Sequence, residues 1–352
     1  MKKTLVAALA ALSMGLSAQM AYALDKVTLG TNWLAQAGHG GFYQAVADGT
    51  YEKYGLDVQI EMGGPQVNNR PMLAAGRLDF LLTGNLLLSF NNVANGVPTT
   101  VVAAFYQKDP QALMAHEGAY KDFKDLANAE TILISKDGQF SFWPWLVKDF
   151  GFKDEQLRPY GYSLAQFLND KKVVQQAYAT AEPIYAEKEG AKVTTYLLAD
   201  YGYSTYGNTI ETRQDLIEKN PDLVQRFVSA SVEGWTNFLY GDRSKAYELI
   251  LKDNPDMSKE TLNAELERIK NLQLIDSGDT LEKGIGAISM DRVKAFYELA
   301  RKAGIVSGDE LDMSKVATDA FVNKGVGLDI KKKLGNNPSS IAAGMNEQRR
   351  RE

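Results

Sequence analysis

Residues 27–96 repeat one strand–loop–helix unit three times, and this repeat constrains the fold more than any single motif in the chain. The first pass is a strand over 27–31, a loop of small and polar residues over 32–41, and a helix over 42–54. The second is a strand over 57–61, the turn Gly63-Gly64-Pro65-Gln66 with Val67-Asn68-Asn69, and a helix to Ala75. The third is a strand over 79–82, the loop Thr83-Gly84-Asn85, and a helix to Ala94. Strands alternating with helices at this spacing predict an α/β fold with a mostly parallel sheet. Ligands of such sheets sit outside the carboxyl ends of the strands, where the three loops converge. The chain is built to hold a small molecule.

The first 23 residues read as a cleaved secretory signal rather than as part of the fold. Lys2 and Lys3 precede an apolar stretch over 5–16, and Ala21-Tyr22-Ala23 is a small-x-small cleavage site. The apolar core is too short to span a bilayer, so an exported, periplasmic protein cut after Ala23 is expected. Cysteine is absent, which excludes thiol nucleophiles, zinc–thiolate sites and iron–sulfur clusters. Two histidines, His39 and His116, are too few for a His-rich metal site. The net charge of −5 becomes −7 without Lys2 and Lys3, and the basic tail over 331–352 carries a net +4 of its own. The remaining body, at about −11, is strongly acidic, which argues against nucleic-acid binding. The tail, with Gly335-Asn336-Asn337-Pro338-Ser339-Ser340 and little apolar periodicity, is expected to be disordered.

Beyond the repeats, strands are expected over 99–105, 112–116, 131–135, 173–179 and 193–199. The last third is helical, with helices starting at Asn220-Pro221, Ser258 and Ser289. Two lobes follow: lobe one from 24–116 and 205–330, lobe two from 117–204. The chain crosses between them twice, near His116 and near Tyr203, and two crossings make a hinge with a ligand cleft between the lobes. A monomer is expected.

Several residues at strand and helix ends are candidates for that cleft. Trp33 offers a stacking surface and Asn32 a donor and an acceptor; inter-lobe packing is the other role open to Trp33. His39, between Gly38 and Gly40-Gly41, sits at a helix start, where it either caps the helix or meets a ligand. Gln66 lies in a glycine turn, and Asn85 either hydrogen-bonds a ligand or caps a helix. Phe142 and Trp143 belong to the ring cluster Phe140-Ser141-Phe142-Trp143-Pro144-Trp145, from which at least one ring is expected to face the cleft. Tyr201 and Tyr203 flank the hinge, and Glu182 is a carboxylate positioned to accept a ligand N–H or face a cation. The cleft loops carry only Arg70 and Lys136 as cations, which suits a flat nitrogen heterocycle better than a sulfonate, sulfate or phosphate. No Gly-x-Gly-x-x-Gly, His-Glu-x-x-His or Ser/His/Asp elbow is present, so no catalytic residue, metal or cofactor is expected.

From 27 to 306 the chain resembles the substrate-binding proteins of ABC importers, in particular the group that binds thiamine pyrimidine precursors. The resemblance rests on Thr31-Asn32-Trp33, His39-Gly40-Gly41-Phe42-Tyr43-Gln44-Ala45, Gly63-Gly64-Pro65-Gln66, Phe142-Trp143-Pro144-Trp145 and Ala199-Asp200-Tyr201-Gly202-Tyr203. It implies the type II periplasmic binding protein fold, closure on ligand, and docking on a membrane permease. It further implies that Asn32, Trp33 and Trp143 hold a heterocycle while Glu182 reads an amino group. Relatives of this group bind thiamine-type pyrimidines, and others bind flavins. A eukaryotic branch makes the pyrimidine as an enzyme, but it carries a cysteine-rich motif and lacks a secretory signal, unlike this chain.

Overall fold

The structure, a computed structural model, describes residues 23–64, 67 and 69–335. The expected signal segment up to Tyr22, the candidate Gln66 and the tail beyond Gly335 lie outside the described residues. Ten strands follow in order: β1 Asp25–Gly30, β2 Leu56–Glu61, β3 Phe80–Asn85, β4 Thr99–Tyr106, β5 Gln111–His116, β6 Ile132–Ile134, β7 Leu157–Pro159, β8 Val174–Tyr178, β9 Val193–Leu197 and β10 Gly207–Arg213. They form two five-stranded sheets, β2-β1-β3-β10-β4 and β7-β6-β8-β5-β9. In the first sheet β1 runs parallel to β2 and β3, while β10 is antiparallel to β3 and β4. The second repeats this pattern: β6 is parallel to β7 and β8, and β5 antiparallel to β8 and β9. Each antiparallel strand is the first one the chain lays down after crossing from the other lobe.

The helices that matter for the site are α1 Gly40–Ala47, α2 Leu86–Ala94, α3 Lys136–Phe140, α4 Trp143–Phe150, α5 Glu182–Lys188, α6 Pro221–Tyr240, α7 Lys259–Asn271, α8 Met290–Lys302 and α9 Leu328–Gly335. Helix α6 begins at the expected Asn220-Pro221 pair, where the Asn220 side chain accepts from the Leu223 N–H at 3.2 Å. Its apolar stripe, including Phe227, Trp235 and Phe238, is buried against the first lobe.

Four features depart from expectation. The helix over 42–54 is two helices, because Gly49 adopts φ +75° and breaks it. The 112–116 segment belongs to the second sheet, so the first crossing is over 107–110 and not near His116. Strand β10 was invisible because Gly-Asn-Thr-Ile-Glu-Thr-Arg lacks an apolar pattern. It is nevertheless buried, its Glu211 carboxylate bonded to Ser89, Asn92 and Thr99. The segment expected to be disordered begins as helix α9, held by the Lys331–Asp276 ion pair at 2.6 Å and by Lys331 lying over the Tyr240 ring.

The crossing segments are fastened together from the C-terminal region. Arg292 on α8 donates to the carbonyls of Gln107, Ser204 and Thr205, and its guanidinium lies 4.0 Å from the Tyr206 ring centre. One side chain thus grips both crossing segments.

Candidate ligand cleft

Between the sheets lies a cleft of about 530 Å³, within the range of small-molecule sites. Its first-lobe wall starts at the turn after β1. There the Thr31 hydroxyl donates to the Trp33 carbonyl at 2.8 Å and accepts from the Gly63 N–H at 2.9 Å. A Cβ on Gly63 would stand 2.3 Å from the Thr31 carbonyl oxygen, so this glycine serves the close approach of two loops. The result presents Asn32 and Trp33 to the cleft, with the indole 42 % exposed. Asn85, ending β3, also lines the cleft; its Oδ1 accepts from Leu87 N–H at 3.1 Å and caps α2. Helix α2 contributes Leu87, Leu88 and Asn91, and Gln36 and Asn208 complete this wall.

The second-lobe wall is built on the ends of β6 and β8. Gln176 accepts the Ser135 N–H at 2.8 Å and donates to Gln111 at 3.3 Å, so its amide is fixed in the cleft. Glu182 opens α5, with Pro183 in the first turn. Its carboxylate accepts from the Tyr160 hydroxyl at 3.0 Å and from the Tyr178 N–H at 2.7 Å. Burial raises its pKa despite these donors. Phe140 and Tyr162, 69 % and 67 % exposed, extend rings into the same space. Tyr162 does so from a left-handed backbone, φ +59°, 5.2 Å from the Tyr160 ring, a conformation uncommon for a bulky side chain.

Of the candidates read from sequence, the structure brings Asn32, Trp33, Asn85 and Glu182 together. Others lie elsewhere. Phe142 and Trp143 are buried within lobe two; the Trp143 indole N–H donates to Asp154 at 2.8 Å and its ring meets Phe152 edge-on. The amphipathic start of α4 turns these rings to the core, so the cluster presents Phe140 to the cleft instead. Tyr203 is buried against Phe142, Trp145 and Phe296, while Tyr201 stacks on Phe123 at 3.8 Å. His39 is fully buried, its pKa pushed down to about 4 by desolvation. Gly40 and Gly41 face Phe238 and Trp235 on α6, not a ligand.

Tyr162, Tyr178 and the carboxamides of Gln36, Asn91, Gln111, Gln176 and Asn208 were not singled out from sequence. Gln111, Tyr178 and Asn208 lie at or next to strand ends, a position many non-site residues share, while Asn91 and Gln176 lie inside α2 and β8 and Tyr162 in a loop. Among the described residues lining the cleft there is no Lys, Arg or His; the charged ones are Asp137 and Glu182. The arrangement offers aromatic faces, amide donors and acceptors, and carboxylates.

Two lobes of this strand order around a polar, aromatic cleft define a two-lobed α/β architecture with a cleft of small-molecule size between its sheets. Residues 36–241 match the NMT1/THI5-like family, and the chain belongs to it. A riboflavin-binding protein, RibY of Chloroflexus aurantiacus, is 25 % identical over 312 residues, covering 86 % of this chain and 87 % of the relative. Among solved structures, the periplasmic aliphatic sulphonate binding protein SsuA of Escherichia coli superposes with a TM-score of 0.59 at 14 % identity, over 83 % of this chain and 91 % of that one. The periplasmic nitrate-binding protein NrtA of Synechocystis PCC 6803 gives 0.58 at 12 % identity, over 85 % and 87 %. A Candida albicans protein described as having the generic periplasmic binding protein fold gives 0.58 at 14 %, over 85 % of this chain and 98 % of that one. This chain has the periplasmic binding protein fold.

Proposed function

We propose that this protein is the extracytoplasmic receptor of an ABC importer for a planar nitrogen heterocycle, of thiamine-pyrimidine or flavin type, and that it delivers this ligand to a membrane permease. The observation that carries the reading is the cleft surface itself. Exposed rings enter from opposite lobes, Trp33 from one and Phe140 and Tyr162 from the other. Around them stand carboxamides and the Glu182 carboxylate, which supply both donors and acceptors for the edge of a heteroaromatic ring. Exposed rings on both walls suit a flat ligand that is covered as the lobes close. The volume of about 530 Å³ and the many amides favour a fused, hydroxylated ring system over a single pyrimidine. The riboflavin-binding relative supports the same direction. The arrangement is that of a binding protein, and no turnover is expected.

A thermal-shift panel of riboflavin, thiamine, aminopyrimidines, nucleobases and ethanesulfonate tests the reading. A ligand present at about 100 times its Kd adds about 2.7 kcal/mol of stability. Trp33→Ala is expected to weaken the heterocycle that shifts the protein by about 1–3 kcal/mol, or about 5- to 150-fold in Kd. Calorimetry checks this, and unchanged affinity removes Trp33 from the site. A panel in which only ethanesulfonate shifts the protein overturns the heterocycle reading.

A further inference from the structure

Oxyanions are bound in proteins by arginine or lysine side chains, or by backbone N–H groups left free at helix starts. This cleft offers no cation, and its helix starts are capped in part. None of its described lining residues is a cation. Each helix that begins at the cleft has its start occupied by the chain's own side chains. Asn85 accepts from the Leu87 N–H at α2, and Ser135 accepts from the Gly138 N–H at 3.1 Å at α3. At α5 the Glu182 carboxylate lies in the first turn, hydrogen-bonded to its own backbone N–H as well as to that of Tyr178. A further amide near the cleft wall, the Ala37 N–H, is bonded to Glu265 at 2.8 Å. The described lining thus holds no cation, its helix starts are capped in part by the chain's own side chains, and Asp137 and Glu182 add carboxylates.

We infer that this cleft takes its ligand only in a form free of phosphate and sulfonate, and rejects the phosphate ester of the same heterocycle. The inference rests on the heterocycle reading above and sharpens it. A phosphate monoester carries about −1.5 to −2 charges at neutral pH. In the closed cleft that group would lose its water near two carboxylates without gaining a cation. A phosphorylated source of the ligand therefore reaches this protein only after phosphomonoester hydrolysis. In that reaction water adds to phosphorus, the bond from phosphorus to the ester oxygen breaks, and the alcohol leaves carrying a proton while inorganic phosphate is released. The fold neighbours described as binding sulphonate and nitrate share the architecture, so the discrimination belongs to the side chains placed on it.

The test is calorimetry of the purified protein with two matched pairs, riboflavin against riboflavin 5′-phosphate and thiamine against thiamine monophosphate. Inorganic phosphate and ethanesulfonate are titrated separately. The expected result is that the phosphate-free member of one pair binds and its ester is at least about 30-fold weaker, about 2 kcal/mol, with neither small anion binding. An ester within threefold of its alcohol overturns the inference and leaves the heterocycle reading standing. Binding of phosphate or ethanesulfonate below millimolar concentration overturns it independently of either pair. If a nucleobase or aminopyrimidine shifts the protein but neither pair binds, the hydroxymethyl derivative of that ring and its phosphate ester replace the pairs, and equal affinity is again the overturning result. If no heterocycle binds at all, the functional reading falls and the inference falls with it.

Discussion

Gly41→Ala is expected to destabilise the protein by about 3 kcal/mol, the upper part of the range for overpacking a rigid core. A Cβ built on Gly41 stands 2.1 Å from Cγ of Trp235, and one on Gly40 stands 2.1 Å from Cζ of Phe238. Neither ring has room to retreat. Trp235 is fully buried, with Phe42, Phe105 and Phe238 centred 5.8, 5.9 and 5.8 Å away. The contact is matched from the other side, where a Cβ on Gly234 would lie 2.4 Å from the Gly41 carbonyl oxygen. Helices α1 and α6 therefore meet backbone to backbone, and the glycines are the reason they can. Urea unfolding of Gly41→Ala beside Gly161→Ala checks this. Gly161 has nothing within 4 Å of its would-be Cβ and no left-handed φ, so its variant is expected to stay within about 0.5 kcal/mol of the parent. Equal midpoints for the two variants would remove packing as the role of Gly41.

This pair of helices also shows where sequence reading reaches and where it stops. His39-Gly40-Gly41 at a helix start looks the same whether the glycines admit a ligand or another helix, because only the partner 190 residues later decides. Strands β1, β2 and β3 were legible from the repeated strand–loop–helix unit, with alternating apolar residues in β1 and β2 and a continuous apolar run in β3. So were Asn32, Trp33 and Asn85, since the carboxyl ends of parallel strands have a fixed relation to the cleft. Glu182 was legible as a carboxylate beside Pro183, though it opens a helix rather than sitting in a turn. The aromatic cluster was found, but the ring that faces the cleft depends on how α3 and α4 meet. Phe140 ends α3 exposed, while Phe142 and Trp143 start α4 with their rings in the core. Tyr162 carried no signal, because its exposure follows from a left-handed backbone in a short loop. Strand β10 escaped because its buried polar residues are satisfied by groups far away in sequence, such as Ser89 and Thr99 for Glu211.

Glu265→Gln is expected to stabilise the protein at alkaline pH and to have little effect at acid pH. Glu265, on α7, is 3 % exposed, and its carboxylate accepts the Ala37 N–H behind the Gln36 wall of the cleft. Burial raises its pKa from 4.5 to about 7, with the Ala37 N–H and the charge of Lys188 working in the opposite direction. Around it stand Tyr106, Tyr185 and Tyr247, whose phenols it pushes upward, and Lys188 is the cation that acts on it. A carboxyl whose folded pKa lies above its unfolded value favours the folded state while both forms are protonated. That contribution is fully present below about pH 4.5 and is lost as pH rises through about 7. The shift corresponds to about 3 kcal/mol, and glutamine, which never ionises, avoids the loss while its amide oxygen still accepts from Ala37. The variant's unfolding free energy should therefore exceed the parent's by up to about 3 kcal/mol at pH 8.5, and the gap should close near pH 5. Asp109, raised to about 6, and His39, lowered to about 4, also titrate, but they are present in both proteins and drop out of the difference to first order. A gap of the same size at both pH values would mean that the folded pKa of Glu265 is not raised above its unfolded value. A gap of opposite sign would mean that the ionised carboxylate is held by Lys188 more tightly than its burial penalises it.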